Sequence, residues 1–462
     1  MAEQFDLVII GGGPGGYGAG LYAGASGMSV ALIEKDKVGG TCLHRGCIPA
    51  KEFLETASIY RHVSTAKEFG INASQPTVDF SVSQARKQKV VDQLWRGTQG
   101  LLKARKVQTY IGTGQLFSNR LVKFSDGTEL VGDNVILATG SVPRTIPGFE
   151  VDGKFVMTSD EVLSLDSLPG SIAVIGGGAI GCEFASMFSD LGVQVTLLEA
   201  LDKILPGCDR DVADLVVKSF EKRGMTVRAG VKVTGHTPNG NTTTVHFGDD
   251  ESVTVDAIVV SVGRKPLSDS LGLVGTGVKI DERGFITVNE YMQTHEPYVY
   301  AIGDVVNTPA LAHVGFAEAI LAVKHMLGED PTPVDYTNVP WCIYCHPEVA
   351  FAGLSEEGAR EAGYDVAVSK HKFIGNSRAL IVGETEGLVK IIAEKRSDGT
   401  AGRILGVHMV GPWVTEQLSG GYLAVNWEAT VDDVAQFVQP HPTMTELFGE
   451  SVMALTGRGL HG

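Results

Sequence analysis

Short apolar runs closed by glycine punctuate the chain, with helical stretches between them. Leu7-Val8-Ile9-Ile10 reads as a strand, because four consecutive apolar residues run into a turn signal. Gly11-Gly12-Gly13-Pro14-Gly15-Gly16 follows, then an apolar helical stretch to about Ser26, a stop at Gly27 and a second strand from Ser29 to Ile33, ending at Glu34. The same order recurs as strand Ile172 to Ile175, glycines at Gly176, Gly178 and Gly181, a helix, Gly192, strand Val193 to Leu198, and Glu199. Gly11 to Gly176 and Glu34 to Glu199 are both offset by 165 residues, so one unit is present twice. Asp133 to Gly140 and Asp256 to Gly263 are each an apolar strand closed by glycine and suit a return from each unit. A further strand, Val299 to Ile302, runs into Gly303-Asp304. The pattern predicts an α/β chain built around two doubly wound, parallel-sheet units.

Each unit carries the residues that a dinucleotide requires. Gly11 permits a tight turn, Gly13 lets the backbone approach a pyrophosphate at a helix N-terminus, Gly16 allows close helix packing and Glu34 can accept ribose hydroxyls. Gly176, Gly178, Gly181 and Glu199 repeat those roles, so two dinucleotides are expected. A carboxylate at Glu199 repels a 2′-phosphate and the next arginine is as late as Arg210, which favours NAD over NADP at the second site.

Composition narrows the setting. At 462 residues the chain is long enough for several cores, and no apolar run approaches the length needed to span a bilayer. A formal charge of −16 argues against nucleic acid or an anionic membrane as the main partner. Met1 to Asp6 is short and acidic, with neither the basic start of a signal peptide nor an Arg-rich transit segment, which reads as a cytoplasmic protein beginning here. Six cysteines are too few for a secreted disulfide scaffold.

Two of those cysteines carry the strongest chemical signal. Cys42 and Cys47 lie in Gly39-Gly40-Thr41-Cys42-Leu43-His44-Arg45-Gly46-Cys47-Ile48-Pro49-Ala50-Lys51, just downstream of the first fingerprint. A bridge across four intervening residues would restrain little chain, so its purpose would be redox chemistry; the other reading is a pair of unbridged thiols. Cys42 follows a Gly-Gly turn at the start of a helix, where the helix dipole favours a thiolate. Cys342-Ile343-Tyr344-Cys345-His346 matches a short haem-attachment pattern, but it reads instead as buried cysteines in a strand. Cys182 and Cys208 have no partner at useful spacing, and no metal-ligand array is present.

Two fingerprints, the Cys-x4-Cys segment ending in Ile-Pro-x-Lys, Ala138-Thr139-Gly140 and Gly303-Asp304, in this order, resemble the pyridine nucleotide-disulfide oxidoreductases along essentially the whole chain. Within that family the likeness is strongest to the branch that oxidises dihydrolipoamide with NAD. The resemblance implies two Rossmann-like domains plus a C-terminal α+β dimerisation domain: an FAD-binding domain over 1–145, an NAD-binding domain over 146–265, a central segment over 266–335 that completes the FAD domain, and an interface domain over 336–462. It implies FAD at Gly11, Gly13, Pro14, Gly16, Glu34, Thr41, Lys51, Thr139, Gly140, Asp304, Leu311, Ala312 and His313, with Asp304 meeting the ribityl chain. It implies NAD at Gly176, Gly178, Ile180, Gly181, Glu183, Glu199, Val233 and Gly263. Cys42 becomes the exchange thiol and Cys47 the flavin-side thiol, with Lys51 paired to Glu183 near the reactive edge of the flavin. His441, in His441-Pro442-Thr443-Met444-Thr445-Glu446, resembles the family's base, oriented by Glu446 and supplied from the second subunit of a homodimer; a thiol of ordinary pKa needs such a base for exchange. A histidine often found two positions earlier is Gln439 here.

The implied partners are a lipoyl-bearing acyltransferase or a glycine-cleavage lipoyl protein. Competing readings are an NAD(P)H-dependent reductase of mycothiol or glutathione disulfide, and a flavin redox sensor without turnover. Leu447 to Gly462 contains no cysteine, which disfavours mercuric and large thioredoxin reductases, and Leu21 stands where glutathione reductases carry arginine.

Overall fold

The computed structural model describes residues 2–73 and 76–461. Five parallel strands form the centre of the first sheet, in the order Gln108–Ile111, Val30–Glu34, Glu3–Ile10, Glu129–Leu137 and Val299–Ala301. Antiparallel strands Leu121–Phe124 and Gly114–Phe117 extend it beside the start of Glu129–Leu137. Strand alternation divides the apolar residues between its faces: Leu7, Ile9 and Leu32 join one core, while Val8, Ile10 and Ile33 join another. This is why the strand sequences are continuously apolar.

The second unit repeats the plan. Thr226–Arg228, Gln194–Leu198, Ser171–Ile175, Ala257–Val260 and Val156–Met157 lie parallel in that order. Ile10 pairs with Ile33 and Leu137, and its repeat counterpart Ile175 pairs with Leu198 and Val260. The chain passes into the second unit through Ser141–Pro143 and leaves it through Arg264–Pro266, two short strands that pair antiparallel. Helix boundaries fall within a residue of expectation at the first fingerprint, where the helix spans Pro14–Ala25.

The C-terminal part is a five-stranded antiparallel sheet, ordered Trp341–Ile343, Glu348–Gly353, Ala401–Gly411, Leu388–Lys395 and Val366–Lys372. One face packs against helices Val414–Asn426 and Glu446–Ala454 through Ile391, Val407, Leu418 and Phe448. A continuous apolar core joins all three units: Ala50 and Phe53 from the helix Cys47–Thr65, Phe184 and Phe188 from the second unit, and Ile343 and Val349 from the antiparallel sheet. No described helix is long and apolar enough to cross a membrane.

A buried ion cluster pins the second unit to the antiparallel sheet. Lys390 is 2% exposed, and its Nζ lies 2.8 Å from Asp209, 2.6 Å from Asp211 and 2.8 Å from Glu356. Burial opposes the Asp209 charge, but the Lys390 ammonium outweighs it and holds that carboxyl below its ordinary pKa. Asp211 and Glu356 are shifted down in the same direction. The stabilisation is therefore present at neutral pH and fades as pH falls below the ordinary carboxylate range, about 4. Lys390→Met leaves these carboxylates without their buried cation, so urea unfolding should show a loss of about 3–5 kcal/mol at neutral pH that narrows as pH falls below about 4. A wild-type curve would mean that the cluster does not hold the units together.

Candidate active site

The two fingerprints have nearly identical atomic geometry. Gly11 and Gly176 adopt φ of +108° and +104°, conformations open to glycine, and their amides donate to Ile33 and Leu198 carbonyls, each at 2.8 Å. A Cβ at Gly16 or Gly181 would overlap the Gly11 or Gly176 carbonyl, whereas one at Gly13 or Gly178 would meet nothing within 4 Å. Those last two glycines precede the helices Pro14–Ala25 and Ala179–Asp190, and neither helix start has a side-chain cap. Open space beside uncapped backbone N–H groups fits a pyrophosphate in both units.

Each strand-terminal carboxylate does local work as well. Glu34 accepts from Gly12 N at 2.8 Å and Asp36 N at 2.9 Å; Glu199 accepts from Gly177 N at 2.6 Å and Leu201 N at 2.7 Å. Both side chains are nearly buried, and each carboxylate keeps further lone pairs for ribose hydroxyls.

Cys42 is the third residue of the six-residue helix Gly40–Arg45, and Cys47 opens the helix Cys47–Thr65. Both are free thiols. The Cys42 and Cys47 thiols titrate as a linked pair, so the charge of one sets the titration of the other. The Cys42 thiol donates to Cys47 Sγ, which pushes the Cys42 pKa up, with burial adding to the effect. The same bond lowers Cys47 to about 7, with help from the Lys51 ammonium. Lys51, one turn after Cys47 on the 19-residue helix, favours a thiolate at either sulfur.

Lys51 Nζ lies 2.7 and 2.8 Å from the two carboxylate oxygens of Glu183, a nearly buried residue of the helix Ala179–Asp190. Burial disfavours the ammonium, but the Glu183 charge more than offsets this and raises the Lys51 pKa. Farther along the same two helices, Asp190 binds Arg61 at 2.5 Å and Arg223 at 2.6 Å. The helix that presents Cys47 is thus fastened to the second fingerprint helix at two points.

His441 Nδ1 lies 2.8 Å from Glu446 Oε1, while Glu446 Oε2 accepts from Thr443 N at 2.7 Å, which orients the ring. The His441 side chain is 69% exposed, and no hydrogen bond joins it to Cys42 or Cys47 within the chain.

The remaining predicted residues distribute as follows. Thr139 Oγ1 donates to Leu267 O at 2.7 Å, and Gly140 and Gly263 take positive φ where the strands end. Leu311 precedes the helix Ala312–Met326, in which His313 is exposed and bonded through Nε2 to Pro340 O at 2.9 Å. Thr41 is half-buried beside Cys42, Ile180 is exposed near the start of the second fingerprint helix, and Val233 packs against the second unit's own core. Cys345 is buried but lies beyond the strand Trp341–Ile343, a correction to the strand reading, and Cys342 is only half-buried. His346 is held down to about pKa 2 by burial first and by Arg61 and Arg223 next. No group of side chains among the described residues could hold a metal ion.

Three contributors escaped the sequence analysis. Asp304 accepts from Ser141 Oγ at 2.6 Å, and Arg264 Nε donates to that hydroxyl at 2.6 Å. Ser141 and Arg264 each follow the glycine of a strand echo, so the repeat itself was the available signal. Tyr344 donates its backbone N–H to Glu183 at 2.9 Å, and its ring lies 4.9 Å from Lys51 Nζ. No local pattern marks it.

Comparison with known proteins places this geometry. Residues 5–319 match the model described as pyridine nucleotide-disulphide oxidoreductase, and residues 339–452 match the dimerisation domain of the same family. A dihydrolipoyl dehydrogenase of Bacillus subtilis is 42% identical with full coverage of both chains, and one of Zymomonas mobilis is 38% identical, again over both full lengths. The crystal structure of LpdA from Mycobacterium tuberculosis superposes with a TM-score of 0.90 at 27% identity, covering 98% of this chain and 100% of its own. The flavoprotein disulfide reductase RclA from Escherichia coli gives 0.87 at 27% identity, covering 97% and 99%. Duplicated fingerprints, adjacent thiols and full-length likeness lead to one conclusion: the chain belongs to the pyridine nucleotide-disulphide oxidoreductase family and carries that family's dimerisation domain.

Proposed function

We propose that this protein is an NAD-dependent dihydrolipoyl dehydrogenase, oxidising protein-bound dihydrolipoamide to lipoamide. The observation that carries the reading is the Cys42–Cys47 thiol pair beside a Lys51 ammonium held by Glu183. The full-length relatives named dihydrolipoyl dehydrogenase give the substrate.

In the oxidised enzyme a substrate thiolate attacks Cys42 Sγ, the Cys42–Cys47 bond breaks, and Cys47 leaves as the stabilised thiolate. The second substrate thiol then attacks the mixed disulfide, closing the lipoyl ring and returning Cys42 as a thiol. His441 receives the proton lost by the substrate, and Glu446 stabilises the imidazolium. Because His441 is exposed and not bonded to the cysteines of its own chain, it serves the cysteines of a second copy in a homodimer. Gly11, Gly13, Gly16 and Glu34 would hold FAD, which when bound would supply redox chemistry between the dithiol and NAD. Lys51 is poised to balance negative charge beside the dithiol. Glu199 selects NAD by accepting ribose hydroxyls and repelling a 2′-phosphate.

Cys42→Ser should abolish oxidation of dihydrolipoamide while leaving flavin bound, and His441→Gln should slow thiol exchange by about 10²–10⁴-fold; full activity in either variant would remove that residue from the site. The rate of alkylation of the reduced enzyme at Cys47 should rise with a midpoint near pH 7, and Lys51→Met should move that midpoint upward. A midpoint at the ordinary thiol value in the wild type would contradict the assignment of the thiolate. Glu199→Gln should reduce discrimination against NADP by roughly tenfold, the effect of about 1.4 kcal/mol, and unchanged NAD-to-NADP ratios of kcat/KM would refute the charge argument.

A further inference from the structure

The helix Phe80–Ala104 lies against both segments that bear the cysteines. Phe80 stacks on Phe53 with ring centroids 5.1 Å apart, Arg86 Nε is 3.0 Å from Glu52, and Trp95 meets His44 edge-on at 6.4 Å. His44 belongs to the short helix that contains Cys42.

The charge of this region runs against that of the whole chain. Between Ser81 and Val107 stand seven of the 38 Lys and Arg residues but only one of the 54 Asp and Glu residues, in a protein of net charge −16. Arg86 is used by Glu52, and Lys87 donates to Leu163 O at 3.0 Å. Lys89, Arg96, Lys103, Arg105 and Lys106 are exposed, and among the described residues none of them forms an ion pair; Arg96 bonds only to the Asp92 carbonyl.

Lys89, Arg96 and Lys103 are spaced seven apart, so they share one stripe of the helix, drifting by only about 20° per step. At 1.5 Å per residue the stripe is about 21 Å long. Leu94 and Leu101 are exposed on the far side of the same helix, which separates the charged stripe from the apolar one. Like charges in a row repel one another, and this fold holds ample carboxylates elsewhere that could have neutralised them. An unpaired cationic stripe on an acidic protein creates a local field that draws an anionic partner to this helix in preference to the rest of the surface.

We propose that Lys89, Arg96 and Lys103 form the docking face for an acidic protein domain that carries the dithiol on a side-chain arm. The inference rests on the dihydrolipoyl dehydrogenase reading and names the chemistry of the carrier. Charge complementarity makes the occupant acidic, and contact between this helix and the cysteine-bearing segments makes it the bearer of the reacting group. The stripe acts on encounter, so it affects kcat/KM for the protein-borne substrate and its salt dependence. Free dihydrolipoamide is uncharged and has no carrier to be steered.

The test compares wild-type enzyme with the triple variant Lys89→Glu, Arg96→Glu, Lys103→Glu, each as flavin-loaded dimer. Initial rates of NAD reduction are measured with free dihydrolipoamide, with an acidic dihydrolipoyl domain, and with the same domain after amidation of its carboxylates. At low salt the variant should lose about tenfold or more in kcat/KM on the acidic domain, and its salt dependence should flatten. Its rate on free dihydrolipoamide should stay within about twofold of wild type, and amidation should slow the wild-type enzyme towards the variant. Equal losses on free and protein-borne substrate, or no loss on the acidic domain, would overturn the docking face. So would salt-sensitive binding of the wild type, but not the variant, to duplex DNA or phosphatidylserine vesicles with no difference on the domain. Failure of the wild type to oxidise free dihydrolipoamide would instead remove the functional reading on which the docking face rests.

Discussion

The pairing of Lys51 with Glu183 holds the architecture of the site together, because the two residues come from helices 132 positions apart and Glu183 is nearly buried. A carboxylate in that position is strongly unfavourable without a cation, so the second unit and the cysteine-bearing helix are each incomplete alone. Arg61 with Asp190 repeats the dependence farther along the same helices. Two points of attachment fix translation and rotation together. Cys47 is consequently held in a constant relation to the start of the second fingerprint helix, as transfer of reducing equivalents between two bound dinucleotides requires.

The duplicated strand-terminal carboxylates show how one residue can meet a structural and a binding need. Glu34 and Glu199 each tie the glycine loop to the turn beyond their strand through two backbone N–H groups. That anchoring removes rotamer freedom before a ribose arrives, so the ligand meets an acceptor already in place. Replacing either acid therefore disturbs the loop as well as the contact.

Features expressed within a short window were legible in the sequence. The parallel strands announced themselves as glycine-closed apolar runs, and the 165-residue repeat exposed both fingerprints; their residue pairs occupy equivalent registers in the two sheets. The contact between His441 and Glu446 spans five positions and was likewise readable. The coupling between the Cys42 and Cys47 thiols was not, because it depends on where one helix stops and another begins. Tyr344 was invisible for a different reason: its part in the Glu183 cluster is played by a backbone N–H, which any residue could supply. The ion cluster around Lys390 unites residues from distant segments, and a lone lysine in an apolar strand carries no local trace of its partners.

The antiparallel ribbon of Ser141–Pro143 and Arg264–Pro266 brings the entry and exit of the second unit side by side. The first sheet closes around that junction, with Glu129–Leu137 paired to Val299–Ala301 as though the intervening segment were a loop. Such an arrangement makes the second unit a cassette: a nucleotide module can be lengthened, retuned or exchanged between chains with little disturbance to the strands that frame the thiols. Choice of pyridine nucleotide and choice of disulfide can then diverge on separate evolutionary schedules, constrained chiefly by the few charged residues that cross the seam.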